Sequence, residues 1–153
     1  MLSIEEEIQS SFKNEYHKLV VNIQLTASRF AEKIQLVMKE HDLTSTQYNV
    51  LRILRGQNQK PASIGLIKER MIERNSDVSR IIDRLLKKGL ISRTENEIDR
   101  RQKDVIISDE GLKVLKKIDD MNDLIPEVLK NISEKEAQQL NNLLDKARNT
   151  QKK

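Results

Sequence analysis

The sequence has no cysteine and no tryptophan, only four glycines and two prolines, and an aromatic content of 3%. Without cysteine there is no disulfide framework, no thiolate metal site and no thiol-based redox switch. So few glycines and prolines leave few obligatory stops, and a mainly helical chain is expected. The scarcity of aromatics leaves the core to Leu, Ile and Val within a hydrophobic fraction of 37%. No apolar run approaches the ~20 residues that span a bilayer. The opening stretch Met1-Leu2-Ser3-Ile4-Glu5-Glu6-Glu7 is acidic and does not read as a signal peptide, so a cytoplasmic protein is expected. Catalytic signatures are missing too: no H-E-x-x-H, no P-loop and no G-x-G-x-x-G, with carboxylates scattered at helix-surface spacing. His17 and His41 lie far apart without ligand spacing. No enzyme, no cofactor and no metal site is expected.

What is present is charge, unevenly placed. The 153 residues suit one compact domain or a small domain with appended helices, and the net charge is +4. Between Lys60 and Lys103 there are 12 Lys/Arg against 7 Asp/Glu, while the rest of the chain holds 16 against 17. The whole positive excess therefore falls in the middle, which points to a polyanion contacted there.

Apolar periodicity places the elements. Ile8, Phe12, Leu19, Ile23, Phe30, Ile34 and Val37 keep to one helical face, so a single long helix is expected from about Ser3 to Glu40. Its length exceeds what a small domain covers, and it is expected to pack partly on another subunit. Thr44 with Gln47 forms a capping-box pattern that opens a helix ending near Gly56. Ser63 caps a short helix to about Met71. Asn75 is the expected cap of the next helix, which runs to Lys88 with Val78, Ile81, Ile82, Leu85 and Leu86 inward and Gly89 as its left-handed stop. Leu90–Thr94 and Lys103–Ser108 read as two strands, with Glu95–Gln102 as the hairpin tip. Ser108 caps a helix to about Lys130, with a kink or step near Pro126. Ser133 and Glu136 form a further capping box before a last helix carrying Leu140, Leu143, Leu144 and Ala147.

The central order of helix, short helix, turn, helix, strand, loop, strand is that of a winged helix-turn-helix. In it the second helix of the pair enters a major groove and the hairpin reaches the flanking minor groove. The outward residues Asn75, Ser76, Asp77, Ser79 and Arg80 are short enough, or basic enough, to approach base edges. Arg84 and Lys87 suit phosphate or salt bridges, and Asp83 and Arg84 are expected to pair with each other. Arg100 and Arg101 at the hairpin tip suit a narrow, electronegative minor groove, and Asp99 beside them suits a guanidinium-orienting role. Glu95 and Glu97 oppose deep insertion of the whole loop.

Leu43-Thr44-Ser45-Thr46-Gln47-Tyr48-Asn49-Val50-Leu51, Ser79–Ile91, and Asp99-Arg100-Arg101 followed by Val105-Ile106-Ile107-Ser108 and Gly111 together resemble the MarR (multiple antibiotic resistance regulator) family. The ordered combination covers nearly the whole chain. The resemblance implies a homodimer in which the first and last helices interlock. It implies Arg101 as the minor-groove arginine held by Asp99, and recognition-helix contacts from Ser76, Asp77, Ser79 and Arg80; Asp77 departs from the small or basic residue expected there, and suits either reading cytosine N4 or capping the helix N-terminus. It also implies a small amphipathic or phenolic effector, for which Tyr16, His17, Phe30 and Tyr48 are the candidates.

The expected layout is thus a winged helix-turn-helix over 43–108, with a helical dimerisation region from 1–42 and 109–153. The DNA-facing set is Ser63, Asn75, Ser76, Asp77, Ser79, Arg80, Arg84, Asp99, Arg100 and Arg101. The expected function is that of a dimeric transcriptional repressor on a pseudo-palindromic operator. The competing reading is a protein-interaction or architectural factor that uses this fold without sequence-specific DNA binding.

Overall fold

The computed structural model describes residues 2–96, 103–120 and 129–149, and the chain divides into two units, Met1–Asp120 and Met121–Lys153. The first unit opens with a short helix, α1 (Ile4–Ile8), and a long one, α2 (Glu15–Glu40). The expected uninterrupted helix from Ser3 to Glu40 is therefore corrected. Gln9 turns left-handed at φ 50° and closes α1, and the Asn14 side chain restarts the chain by accepting from the His17 N–H at 2.9 Å. The cause is local chemistry: Ser and Asn offer backbone groups alternative partners to the helical ladder. α1 then folds back on α2, with Ile4 buried and its carboxylates paired across: Glu5 with Lys18 at 2.6 Å, and Glu7 with Arg29. The Lys18 ammonium holds the Glu5 carboxyl below its ordinary value.

α3 (Ser45–Arg55) begins at the expected capping box: the Gln47 N–H donates to Thr44 Oγ1, and the Thr44 N–H to the Gln47 side chain. It is the hub of the unit, packing against α2, α4 (Ile64–Arg70), α5 (Val78–Lys87), α6 (Asp109–Asp120) and strand β2 (Lys103–Ile107). Val50, Leu51 and Leu54 on α3, Ile67 on α4, Ile82 and Leu85 on α5, Val105 on β2 and Leu115 on α6 are all at most 1% exposed. Each such side chain contributes about 1.5–3 kcal/mol by leaving water. This aliphatic core is what the low aromatic content requires.

β1 (Ile91–Glu95) pairs antiparallel with β2 in the register Ile91↔Ile107 through Glu95↔Lys103. Gly89, at φ +68°, supplies the left-handed step between α5 and β1. A single bridge, Ala62 to Val105 with N···O distances of 2.8 and 2.9 Å, ties the segment before α4 to the hairpin. Ser108 joins the hairpin's end to α6: its hydroxyl donates to the Gly89 carbonyl at 2.7 Å and accepts from the Gly111 N–H at 3.1 Å. The expected continuation of α6 past Pro126 lies in 121–128, outside the described residues. In the second unit, Ser133 and Glu136 form the expected capping box of α7 (Glu134–Arg148), on which Leu140 and Leu143 are exposed. Among the described residues no helix is long and apolar enough to cross a membrane.

Gly111 is where the hairpin and α6 meet most closely. A Cβ there would lie 2.3 Å from the Leu90 carbonyl oxygen and 2.8 Å from a side-chain carbon of Ile107. Backbone cannot yield as a flexible side chain does, so Gly111→Ala is expected to lower stability by about 1–3 kcal/mol in urea denaturation. An unchanged midpoint would contradict this close approach.

Candidate nucleic-acid interface

α5 is amphipathic in the manner a groove-binding helix requires. Val78, Ile81, Ile82 and Leu85 are buried, whereas Ser79, Arg80, Asp83, Arg84 and Lys87 are exposed. The buried stripe fixes the helix to α3, α4 and β1, so the polar face is carried on a rigid support. Among the described residues neither Arg80 nor Arg84 is engaged in an ion pair.

The start of α5 differs from expectation. Asp77, not Asn75, is the N-cap, its Oδ1 accepting from the Arg80 N–H at 3.1 Å. A carboxylate satisfies the free N–H as well as an amide does and also meets the positive end of the helix dipole. This accounts for an acidic residue at the start of α5. Asn75 is exposed in the turn ahead of α5, where the half-buried Ser76 donates its N–H to the Glu73 carbonyl at 3.2 Å.

The expected Asp83–Arg84 pair is also corrected. Asp83 accepts from Arg93 on β1 at 2.6 Å, because a reach across to the hairpin is open to it on that face of α5. Both partners are more than half exposed, so the bridge contributes little to stability. It links the recognition-type helix to the hairpin and leaves Arg84 facing outward. Ser63 is the N-cap of α4, its hydroxyl accepting from the Leu66 N–H at 3.1 Å. Asp99, Arg100 and Arg101 lie outside the described residues.

One residue of the hairpin stem went unnoticed in the sequence. Asp104, opposite Thr94, is 8% exposed, and its Oδ2 accepts from the Asn96 side chain at 2.8 Å, one step beyond the last strand pair. The signal for it was an acidic residue abutting the apolar run Val105-Ile106-Ile107.

A cleft of about 830 Å³ lies between α2, α3 and the end of α4. Phe30, Ile34, Tyr48, Arg52, Met71 and Ile72 are among the residues that line it, and the Arg52 guanidinium carbon stands 5.8 Å from the centre of the Tyr48 ring. Of the four effector candidates, Phe30 and Tyr48 meet here. Tyr16 and His17 do not line this cleft: Tyr16 is 83% exposed, and the exposed His17 ring stands edge-on to Phe12 at 5.4 Å. At 1.5 Å per residue, Tyr16 sits about 21 Å along the helix axis from Phe30.

An aliphatic helix-turn-helix followed by a two-stranded hairpin and flanked by helices defines a winged helix-turn-helix protein. Residues 43–103 match the MarR family. The HTH-type transcriptional repressor MdtR of Bacillus subtilis (strain 168) is 37% identical over 98 residues, covering 61% of this chain and 62% of that relative. The chain thus matches less than two thirds of that relative's length. Solved structures share the fold. Mutant MarR from E. coli, complexed with operator DNA, superposes at a TM-score of 0.78 with 24% identity, over 91% of this chain and 99% of that one. The organohalide-sensing transcriptional regulator RdhR, in its 2,4-dichlorophenol-bound form, gives 0.78 with 19% identity, over 97% and 89%. These relatives are transcription regulators, not enzymes.

Removing the cap should separate acceptor from size. Asp77→Ala is expected to cost about 1 kcal/mol of stability in thermal denaturation, and Asp77→Asn much less. Equal losses for the two variants would show that Asp77 does not act as a cap.

Proposed function

We propose that the protein is a sequence-specific, double-stranded-DNA-binding transcriptional repressor that acts as a homodimer on a pseudo-palindromic operator. The observation that carries this reading is α5: a helix locked on one side by four buried aliphatic residues and offering Ser79, Arg80, Arg84 and Lys87 on the other. Ser79 and Arg80 are suited to base edges, Arg84 to phosphate, and Asn75, Ser76 and Asp77 sit at the end of the helix that leads into the groove. Ser63 at the start of α4 faces backbone phosphate in this arrangement. Arg100 and Arg101 enter the flanking minor groove, with Asp99 orienting Arg101. MdtR is a repressor by name and the E. coli MarR mutant was solved on operator DNA, which supports the same role here.

The dimer is assigned to the flanking regions 1–42 and 109–153. Supporting it, Leu19, Val20, Ile23 and Leu36 on α2 and Leu140 and Leu143 on α7 are large apolar side chains exposed to water, which an interface would cover. Two recognition helices must match successive major grooves roughly 34 Å apart, so the dimer sets the half-site spacing. A small amphipathic or phenolic effector that alters this spacing releases the DNA. The cleft with Phe30 and Tyr48 falls in the usual ligand-pocket range of about 300–1,000 Å³ and is the place assigned to it. RdhR with 2,4-dichlorophenol bound supports the ligand class.

The test is a salt titration of binding to a random duplex and to one selected from a random pool. The selected duplex is expected to bind at least about a thousandfold tighter at fixed salt. A ratio near one at every salt concentration would identify an architectural factor instead. In the same assay Arg101→Ala should weaken binding while the protein still sediments as a dimer, and unchanged affinity would contradict the wing assignment.

A further inference from the structure

The turn that delivers α5 has little of its own to hold it. Between Met71, which is buried at the end of α4, and the cap Asp77, the chain runs through Ile72, Glu73, Arg74, Asn75 and Ser76. Ile72, the apolar residue of this stretch, is 83% exposed and gives the turn no hydrophobic anchor. The Ser76 N–H to Glu73 carbonyl bond is internal to the turn. Among the described residues, the hydrogen bond that ties this segment to another element is made by the Ile72 N–H, which donates to Asn49 Oδ1 on α3 at 3.0 Å. Asn49 lies one position before Val50, on the hub helix, and is half-buried.

We propose that Asn49 is a positioning residue for DNA recognition: by holding the Ile72 amide it fixes the angle at which the turn presents α5 to the major groove. α5 is anchored from Val78 onward by its buried stripe, which resists lifting but does not reach the turn ahead of its leading end. Ser76, Asp77, Ser79 and Arg80 all stand at that leading end, so a displacement there is read directly as lost base contact. Contacts to phosphate tolerate such a shift better, because a point charge on a long side chain can follow its partner. Loss of the Asn49 bond therefore lowers discrimination between sequences more than it lowers affinity for DNA in general. This rests on the DNA-reading role of α5 proposed above.

The experiment compares full-length wild type, Asn49→Ala and Asn49→Asp on the selected and the random duplex at one salt concentration and below each protein's melting temperature. Asn49→Asp keeps an acceptor for the Ile72 N–H, and the selected-to-random ratio cancels the effect of its added charge on DNA binding. The ratio is expected to fall about tenfold for Asn49→Ala, as for loss of one hydrogen bond with some misalignment, and to stay within about twofold of wild type for Asn49→Asp. Amide exchange at Ile72 should rise in Asn49→Ala alone. An unchanged ratio in Asn49→Ala, or an equal fall in both variants, would overturn the proposal. A wild-type ratio near one would instead overturn the reading of α5, and this proposal with it.

Discussion

The burial of α3 on nearly every side is the constraint from which the DNA-facing surface follows. Val50, Leu51 and Leu54 are sealed by α2, α4, α5, α6 and β2, so none of these elements can shift without opening the core. A Leu removed from such a site typically costs about 2–5 kcal/mol, a large part of the stability of a small domain. The same packing turns α5 so that Val78, Ile81, Ile82 and Leu85 face inward, and it leaves the polar face no choice but solvent or a ligand.

Around that hub, a few polar links set orientation without adding much stability. Ser108 bridges Gly89 and Gly111, the Ala62–Val105 bridge ties the hairpin to the start of α4, and Asp83–Arg93 ties it to α5. Hairpin and recognition-type helix are thereby held as one body. Asn96 and Asp104 extend the stem one step beyond its strand ladder. An exposed pair such as Asp83–Arg93 contributes little free energy but restricts geometry, which is what a surface matched to a helical polymer needs.

Much of the domain between Leu43 and Gly111 was legible from sequence because its signals are local. The Thr44–Gln47 box, the Ser63 cap, the stripe of α5, Gly89 and the two strands each depend on neighbours a few residues away, and the structure places them as expected. The long first helix was misread because apolar spacing alone does not register a left-handed Gln9; the stripe continues through the break. The α5 cap was displaced from Asn75 to Asp77 because three consecutive good caps, Asn75, Ser76 and Asp77, cannot be ranked without the turn that precedes them. Asp83–Arg93 and Asn49–Ile72 join residues 10 and 23 apart through tertiary contact, and no sequence pattern announces either. Of the effector candidates, composition could name bulky polar-tipped residues, but only folding shows that Phe30 and Tyr48 share a cleft.

The central claim is that α5 reads base edges from a fixed support. It is tested most directly by measuring Arg80→Ala and wild type against every single-base variant of the selected duplex. A base-reading Arg80 predicts that the variant loses discrimination of about 1–3 kcal/mol at one or two positions and keeps the rest of the profile. A uniform loss across all positions, with a salt dependence shallower by about one charge, would place Arg80 on phosphate and contradict the account.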